Sequence, residues 1–378
     1  MFNSTITYCK FMLAIILLVP ALSQGAVPAT PSGLCINNQD CTRSYHSADS
    51  VVAPAAVDIN NFYPGHYMSV GYAHRSSFDK IKNNPYFIGV KRNYHWPHVE
   101  TAEGVYDFSE IEADLAYAQS MGKRLWIVIS RTSWNSNSPP DTPRYMWGDA
   151  KYGCDPRYYG NYERSAQAGG WLPCFWNSHY QARQAALYQA LGERFNDEPY
   201  FSGINMGETS TGKTHWGYSA QALEAAFKKI ALDAKAAFPN KVVTQMINYA
   251  PYDLAQFSAW LAENGIGIGG PDVHLQASKQ DSLHAYAYPQ YLKYHDIVPT
   301  GPDVQGDNYR RNAHLVTSDH ENVAEVILLG AIEKTNPWYM FWRPVEPYFS
   351  EQVLPMVDKH GQLPAAKAFY ESIQGDPQ

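Results

Sequence analysis

Short apolar runs alternate with amphipathic stretches along most of the chain. Eight runs rich in β-branched and aromatic residues predict buried strands; they cover residues 67–72, 87–91, 124–130, 201–206, 242–247, 266–274, 297–300 and 338–342. Five stretches between them carry apolar residues at spacings of three and four, which predicts helices; they cover residues 108–121, 180–195, 220–238, 254–264 and 323–335. Strands and helices therefore alternate along the chain.

This alternation predicts an α/β fold. Strands joined by helices form parallel sheets with right-handed crossovers, and eight such units close into a (β/α)8 or TIM barrel of one domain. An open, doubly wound sheet is the alternative, but Gly71-Tyr-Ala-His after the first strand lacks the glycine spacing of a dinucleotide-binding turn. In a barrel, the functional residues are expected at the carboxyl ends of the strands.

The amino terminus has the pattern of a secretory signal peptide over residues 1–26. An apolar run at 11–22 is followed by the small residues Ser23, Gly25 and Ala26. The run is shorter than the ~20 residues that a membrane-spanning helix needs, although an uncleaved anchor is the alternative. We expect a secreted or periplasmic protein with no membrane segment once the signal is removed.

Two further segments are expected after the signal peptide. Residues 27–60 are rich in Pro, Ala, Ser and Asn without periodicity, which predicts an irregular arm. The barrel is expected to occupy residues 61–378.

The cysteines point to disulfides. Without Cys9 of the signal peptide, four remain, an even number in a chain bound for an oxidising compartment. Of the three possible pairings, proximity along the chain favours Cys35 with Cys41 and Cys154 with Cys174. A zinc site is the alternative, but none of the spacings is the Cys-x-x-Cys of structural zinc sites.

The connection after the third predicted strand is unusually long. Residues 134–176 are rich in Trp and Tyr, and loops of this length are usually functional. We therefore expect an insertion that is stapled by the Cys154–Cys174 disulfide and forms part of a binding site.

Composition narrows the function. Lys and Arg number 29 and Asp and Glu 36, a net charge of −7 that does not suit a nucleic-acid binder. Hydrophobic residues make up 45% of the chain, which excludes a disordered protein, and the high aromatic content of 14% suits a packed core or an aromatic groove. The sequence has no HExxH, Walker or Gly-x-Ser-x-Gly motif, and its histidines are scattered, so we expect neither metal nor cofactor.

One segment resembles a known superfamily. Trp96 is followed by Glu100, then by Gly104-Val-Tyr-Asp-Phe108, a predicted helix and Gly122-Lys. This order resembles the clan A glycoside hydrolases, notably their β-galactosidase-like and cellulase-like (β/α)8 barrels. The match covers residues 96–129, and the strand rhythm extends it loosely over 65–350. The resemblance implies hydrolysis of glycosidic bonds by two carboxylates, one after the fourth strand and one after the seventh.

Glu208 is the candidate general acid/base. It stands where the resemblance places that glutamate, in Ile204-Asn-Met-Gly-Glu-Thr-Ser210, although Gly207 replaces the usual preceding Asn and Asn205 comes three residues early. A glycosidic oxygen leaves readily only when protonated, and a carboxyl group in a partly apolar site can supply that proton. A carboxylate that merely stabilises a helix amino terminus is the alternative interpretation.

Asp303 is the candidate second carboxylate. The seventh predicted strand is followed by no Glu, and Asp303 lies nearest the expected position, with Asp307 and Asp272 as alternatives. A retaining enzyme, which the resemblance implies, needs a nucleophile about 5 Å from the acid, whereas an inverting enzyme separates the two carboxyls by about 6.5 to 9.5 Å. An ordinary aspartate in a Pro- and Gly-rich turn is the competing interpretation.

Polar and aromatic residues near the strand ends are the candidate sugar-binding groups. Indole rings bind the apolar faces of sugars, and polar side chains distinguish their hydroxyl groups. By resemblance, His274 would lie near the nucleophile and Trp342 under the sugar, although either could be purely structural. The complete set is Arg92, His95, Trp96, Trp134, Asn205, Trp216, Gln245, His274 and Trp342.

The sequence thus predicts a secreted glycoside hydrolase that cleaves a polysaccharide or oligosaccharide with Glu208 and Asp303. A catalytically silent carbohydrate-binding barrel is the alternative, because the seventh strand lacks its Glu and the fourth its Asn.

Overall fold

Eight parallel strands close into a barrel. The computed structural model describes residues 53–134, 138–153, 160–163, 169–210, 213–214, 219–276 and 283–374. The barrel strands are β1 (Gly65–Gly71), β2 (Phe87–His95), β3 (Arg124–Ser130), β4 (Phe201–Met206), β5 (Val242–Met246), β6 (Gly267–Pro271), β7 (Thr300–Val304) and β8 (Tyr339–Trp342). Each pairs in parallel with its neighbours in the chain, and β8 closes on β1 through pairs such as Gly65 with Tyr339. The predicted (β/α)8 barrel is confirmed.

Helices follow most of the strands. The longer ones are α1 (Ser109–Ser120), α2 (Ser178–Phe195), α3 (Ala220–Ala237), α4 (Leu254–Glu263), α5 (Tyr288–Tyr294), α6 (Val323–Thr335), α7 (Leu354–His360) and α8 (Pro364–Gln374). Asn177, Ser219, Asp253 and Asn322 cap α2, α3, α4 and α6 by accepting hydrogen bonds from backbone N–H groups of the first turn. No helix in the described part of the chain is long and apolar enough to cross a membrane.

Short elements complete the described chain. Single helical turns or short helices lie at Ile59–Asn61, Arg75–Ile81, Trp96–Val99, Arg144–Met146, Ala150–Tyr152, Leu283–Ala287, Asn308–Asn312, Ala313–Leu315 and Phe349–Val353. Two small antiparallel sheets are formed by Glu100–Ala102 with Val105–Tyr106, and by Gly160–Glu163 with Gly169–Leu172 and Lys213–Thr214.

The seventh strand begins later than predicted. The prediction was 297–300, whereas β7 covers Thr300–Val304. The apolar pair Ile297-Val298 belongs instead to the turn after α5, where both backbone N–H groups donate to Tyr294 O. Gly301 and Pro302 form the strand because Gly301 fits closely against Tyr339 of β8. Asp303 therefore lies within the strand, not in the loop after it.

Aromatic rings fill the amino-terminal half of the barrel. Tyr67 of β1, Trp126 of β3, and Tyr339 and Phe341 of β8 pack against one another with ring centroids 5.2 to 6.3 Å apart. Side chains alternate between the two faces of a strand, so the next interior positions on β1 and β8 are Ser69 and Arg343. Above the aromatic layer, at the carboxyl end of the barrel, both of these interior positions are therefore polar.

The chain before β1 covers the amino-terminal end of the barrel. The N–H groups of Ala55 and Ala56 donate to the carbonyls of Asp296 and Ile297, and Phe62 packs edge-on against Trp338 at 5.3 Å. The predicted signal peptide and residues 27–52 of the predicted arm lie outside the described residues, and those assignments stay predictions.

His66 of β1 points away from the barrel interior and is fully buried. Its Nδ1 accepts a hydrogen bond from Trp342 Nε1 at 3.0 Å, and its Nε2 donates to Gly361 O at 3.2 Å. The bond from Trp342 requires an unprotonated Nδ1 and therefore a neutral ring, and burial lowers the pKa of His66 to about 4.

We expect His66 to make the protein less stable in mild acid. The unfolded state takes up a proton on His66 near pH 6.5, whereas the folded state does so only near pH 4. The free energy of unfolding should therefore fall by about 3 kcal/mol over this interval. Urea unfolding from pH 7 to pH 4 measures the decrease, and His66→Gln should make it shallower. An identical pH dependence in the variant would contradict this assignment.

Candidate active site

A cavity of about 510 Å³ opens at the carboxyl ends of the strands, where the barrel fold predicts a functional site. Its size suits a small-molecule or saccharide ligand. Its walls come from β1, β2, β3 and β7, from the segments that follow β1, β3, β4, β7 and β8, and from Met246 of β5. The polar or aromatic residues among them are Ser69, Tyr72, Lys91, Asn93, Ser130, Arg131, Thr132, Trp134, Glu208, Asp303, Gln305 and Arg343.

Glu208 lies in the wall of this cavity, just after β4, and is partly exposed. Asn248 Nδ2 donates to Glu208 Oε2 at 2.8 Å. Asn248 is itself buried and accepts from the backbone N–H of Ser210 at 3.0 Å, while Gln245 Nε2 donates to Gly207 O at 2.5 Å. The carboxyl group therefore projects from a backbone segment that β5 and the residues after it hold in place.

Asp303 lies in the same cavity but is nearly enclosed. It is 3% exposed and forms an ion pair through Oδ2 with Nζ of Lys91, which is 1% exposed. Burial lowers the pKa of Lys91, and the nearby carboxylates of Asp303 and Glu208 oppose that effect. The Lys91 ammonium also lies 4.4 Å from the centre of the Phe341 ring, so it contacts the aromatic layer of the barrel.

The two carboxyl groups have different surroundings. Glu208 has a neutral amide beside it and open cavity in front of it, whereas Asp303 faces an ammonium group in a dry environment. The second carboxylate oxygen of Asp303, Oδ1, has no hydrogen-bond partner among the described residues. The cavity therefore contains one partly exposed carboxyl group and one buried carboxyl group that is paired with an ammonium.

Arg92 does not reach the cavity, contrary to the prediction. It pairs with Asp114 and Glu110 of α1, the latter at 2.6 Å. The reason is strand alternation: Lys91 faces the barrel interior, so its neighbour must face the helices. Arg92 therefore joins β2 to α1.

Trp342 also lies behind the barrel wall and does not line this cavity. It donates to His66 and is fully buried, because Phe341 takes the interior position on β8. The predicted placement of Trp342 under a sugar is therefore wrong.

The residues that carry the sequence resemblance have a structural role. Trp96 Nε1 donates to Glu100 Oε2 at 2.7 Å, and the N–H of Gly104 donates to Glu100 Oε1 at 2.9 Å. Arg183 of α2 pairs with the same buried carboxylate. Trp96 thus belongs to a fully buried hub that joins the loop after β2 to α2, and it does not line the cavity.

Asn205 and Gln245 are buried close to the site without lining the cavity. Asn205 is 1% exposed inside the barrel, and its amide has no hydrogen-bond partner among the residues that the structure describes. Gln245 holds the backbone before Glu208, as described above. Gln245 thus supports the backbone segment that carries Glu208, and Asn205 lies inside the barrel beneath the cavity.

His274 and the two alternative carboxylates form a separate cluster. Ligand atoms of Asp272, His274 and Asp307 lie within 4.8 Å of one another, a spacing that could hold a metal ion. Asn308 Nδ2 donates to Asp272 Oδ1 at 2.8 Å, and burial raises the pKa of Asp272. None of the three lines the cavity of Glu208, so Asp303 is the carboxylate that shares it.

A second cavity, of about 700 Å³, adjoins the first. Tyr72, Thr132 and Trp134 line both. In the second cavity His95 Nδ1 lies 2.6 Å from Asp141 Oδ1, and the His95 ring stacks on Tyr72 with centroids 3.9 Å apart. Residues 138–147 of the predicted insertion supply much of the remaining wall.

Several cavity residues were not predicted, above all Lys91 and Arg343. The sequence does contain a signal for Lys91, because a charged residue inside an otherwise apolar strand is costly to bury unless it is paired. Arg343 has no comparable signal in the sequence, and only the structure shows that it lies against Gly71, which has a φ of 59°. A Cβ there would overlap the Arg343 guanidinium, so glycine leaves the space that the arginine occupies.

Some predictions fall on residues that the structure does not describe. Trp216, Cys35, Cys41 and Cys154 lie outside the described residues. Cys174 is buried, and the two disulfide pairings stay predictions.

No protein-family model and no curated protein sequence matches this chain. The solved structures with a similar fold include two glycoside-acting enzymes. The catalytic domain of β-amylase from Paenibacillus polymyxa is 12% identical, with a TM-score of 0.51 over 74% of this chain and 92% of that one. The β-galactosidase from Bacillus circulans sp. alkalophilus is 12% identical, with a TM-score of 0.52 over 75% of this chain and 51% of that one, so this chain spans about half its length. At 12% identity, these two structures show that the chain shares their fold.

Proposed function

We propose that this protein is a glycoside hydrolase that acts on a polysaccharide or oligosaccharide. The observation that carries the proposal is that Glu208 and Asp303 line one cavity at the carboxyl end of the barrel. Two carboxylates in one site are what hydrolysis of a glycosidic bond requires. The similarity in fold to a β-amylase and a β-galactosidase supports the same reaction class.

The two carboxyl groups have separate roles in this proposal. Glu208 protonates the departing glycosidic oxygen and then removes a proton from the attacking water. Asp303, held in position by its ion pair with Lys91, attacks the anomeric carbon through Oδ1, which has no hydrogen-bond partner in the described part of the chain. This is a retaining mechanism with a covalent glycosyl–enzyme intermediate. Neither a cofactor nor a metal takes part in these steps.

The second candidate function is a catalytically silent carbohydrate-binding barrel. The burial of Asp303 in an ion pair favours it, because a paired carboxylate is a weaker nucleophile than a free one. Release of reducing ends from a panel of neutral and acidic polysaccharides separates the two functions. A hydrolase gives new reducing ends that Glu208→Gln abolishes. Retardation of the wild type in polysaccharide gels, with no new reducing ends, would instead establish a binding protein.

We also propose that the protein acts after secretion, or in the periplasm, with residues 1–26 removed. In that compartment we expect disulfides between Cys35 and Cys41 and between Cys154 and Cys174, because each pair closes a short loop. Mass spectrometry of unreduced peptides from the secreted protein tests both points. Free thiols, crossed pairs or an intact residue 1 would contradict them.

A further inference from the structure

The arginines of the described residues divide into two groups. Five form ion pairs with carboxylates: Arg75, Arg92, Arg183, Arg194 and Arg311. The other five described arginines take part in none of the ion pairs found among the described residues: Arg124, Arg131, Arg144, Arg310 and Arg343. Of this second group, Arg131 and Arg343 line the first cavity and Arg144 lines the second.

Two of the carboxylates that line the cavities have basic partners. Asp303 is paired with Lys91, and Asp141 with His95. The first cavity therefore holds three cationic side chains, Lys91 among them, against two carboxylates, in a chain whose net charge is −7. When Glu208 carries the proton that it donates, the positive excess increases further.

Arg343 is the arginine best placed to meet a ligand. It follows β8 at the position where the interior face of the strand reaches the cavity, and its guanidinium occupies the space that Gly71 leaves free. Arg131 is more deeply buried, and its guanidinium lies between the rings of Phe175 and Phe227 at 5.1 and 5.3 Å. Arg131 thus contributes charge from within the wall, whereas the more exposed Arg343 can make contact.

We propose that the two cavities bind an acidic saccharide, and that Arg343 contacts its carboxylate or sulfate ester group. This inference rests on the proposed function for the saccharide nature of the ligand. A guanidinium binds a carboxylate or sulfate through two parallel hydrogen bonds, and such charge-assisted bonds are stronger than bonds to neutral hydroxyls. The anion supplies the ionic partner that the described residues do not provide to Arg343, and Arg144 offers a second cation to the next acidic unit along the saccharide.

Affinity gels containing defined polymers test this proposal with the full-length protein. Polygalacturonate and alginate present carboxylates, ι-carrageenan and fucoidan present sulfate esters, and laminarin and galactomannan are neutral. We expect at least one acidic polymer to be bound about tenfold more tightly than either neutral one, with an affinity that falls as salt is added. The two acidic pairs show which anion is preferred.

Three variants show whether Arg343 is responsible. Arg343→Met should weaken binding of the preferred acidic polymer about tenfold or more, and Arg343→Lys should retain part of it. Arg194→Met removes the same charge from the helix layer, outside both cavities, and should bind like the wild type. Thermal unfolding shows that each variant is folded.

Equal affinity for neutral polymers, no binding of any acidic polymer, or unchanged binding by Arg343→Met would overturn the inference. Hydrolysis of neutral polymers without charge selectivity would leave the proposed function standing and remove only this inference. Arg343-dependent binding of an acidic polymer without hydrolysis would do the reverse.

Discussion

Replacing Glu208 with Ala should slow hydrolysis of unactivated saccharides by about 10²- to 10⁴-fold, the usual contribution of a general acid/base. An unactivated alkoxide leaves only with a proton, and Glu208 is the partly exposed carboxyl group in the first cavity. Aryl glycosides with good leaving groups need no such proton, so their cleavage step should be largely spared. Initial rates on a natural saccharide and on its 2,4-dinitrophenyl glycoside measure the difference.

Two controls separate this effect from a general loss of the site. Glu208→Gln keeps the shape of the side chain and its contact with Asn248 but cannot donate an acidic proton, so it should show the same leaving-group dependence. Glu333→Gln, an exposed glutamate of α6, should behave like the wild type. Normal hydrolysis of unactivated saccharides by Glu208→Ala would remove Glu208 from the mechanism and favour the silent binding barrel.

Replacing Lys91 with Met should destabilise the protein by about 3 to 5 kcal/mol. Lys91 and Asp303 are both almost fully buried, so removal of the ammonium leaves an uncompensated carboxylate in a dry environment. The single variant should also lose activity, because the ion pair that fixes the position of Asp303 is then gone. Urea unfolding and initial rates measure the two losses.

The double variant Lys91→Met/Asp303→Leu separates stability from catalysis. Replacing both partners of a buried ion pair by apolar groups is often close to neutral for stability, so the double variant should recover most of the stability lost by Lys91→Met. It should remain inactive, because the second carboxylate is gone. A double variant as unstable as the single one would show that the pair does not account for the loss, and an active one would exclude Asp303 from catalysis.

The barrel could be predicted because its signal repeats along the chain. Each buried strand is a short apolar run, and helices with a regular three- and four-residue spacing separate most of them; β3 and β4 were predicted with their observed bounds. Where the pattern was weak, the prediction failed. β7 contains Gly301 and Pro302, which are poor strand formers, and only the pairing with β6 and β8 places the strand there.

The orientation of individual side chains could not be predicted to the same degree. A displacement of one position moves a side chain from the cavity to the helix layer, and this decides between Lys91 and Arg92 on β2 and between Phe341 and Trp342 on β8. The pairing of Lys91 with Asp303 joins residues 212 positions apart. Such a contact follows from barrel closure, which no local pattern encodes.

In the proposed mechanism Glu208 is the acid/base and Asp303 is the nucleophile. The configuration of azide products distinguishes these two roles directly. With an activated glycoside and added azide, Glu208→Ala should give a glycosyl azide of retained configuration, because azide opens a covalent intermediate formed on Asp303. Asp303→Ala, checked for folding, should give the inverted azide by direct attack. The anomeric coupling constant in the ¹H NMR spectrum distinguishes the two products. Inverted azide from Glu208→Ala, or full wild-type activity in Asp303→Ala, would contradict these two assignments.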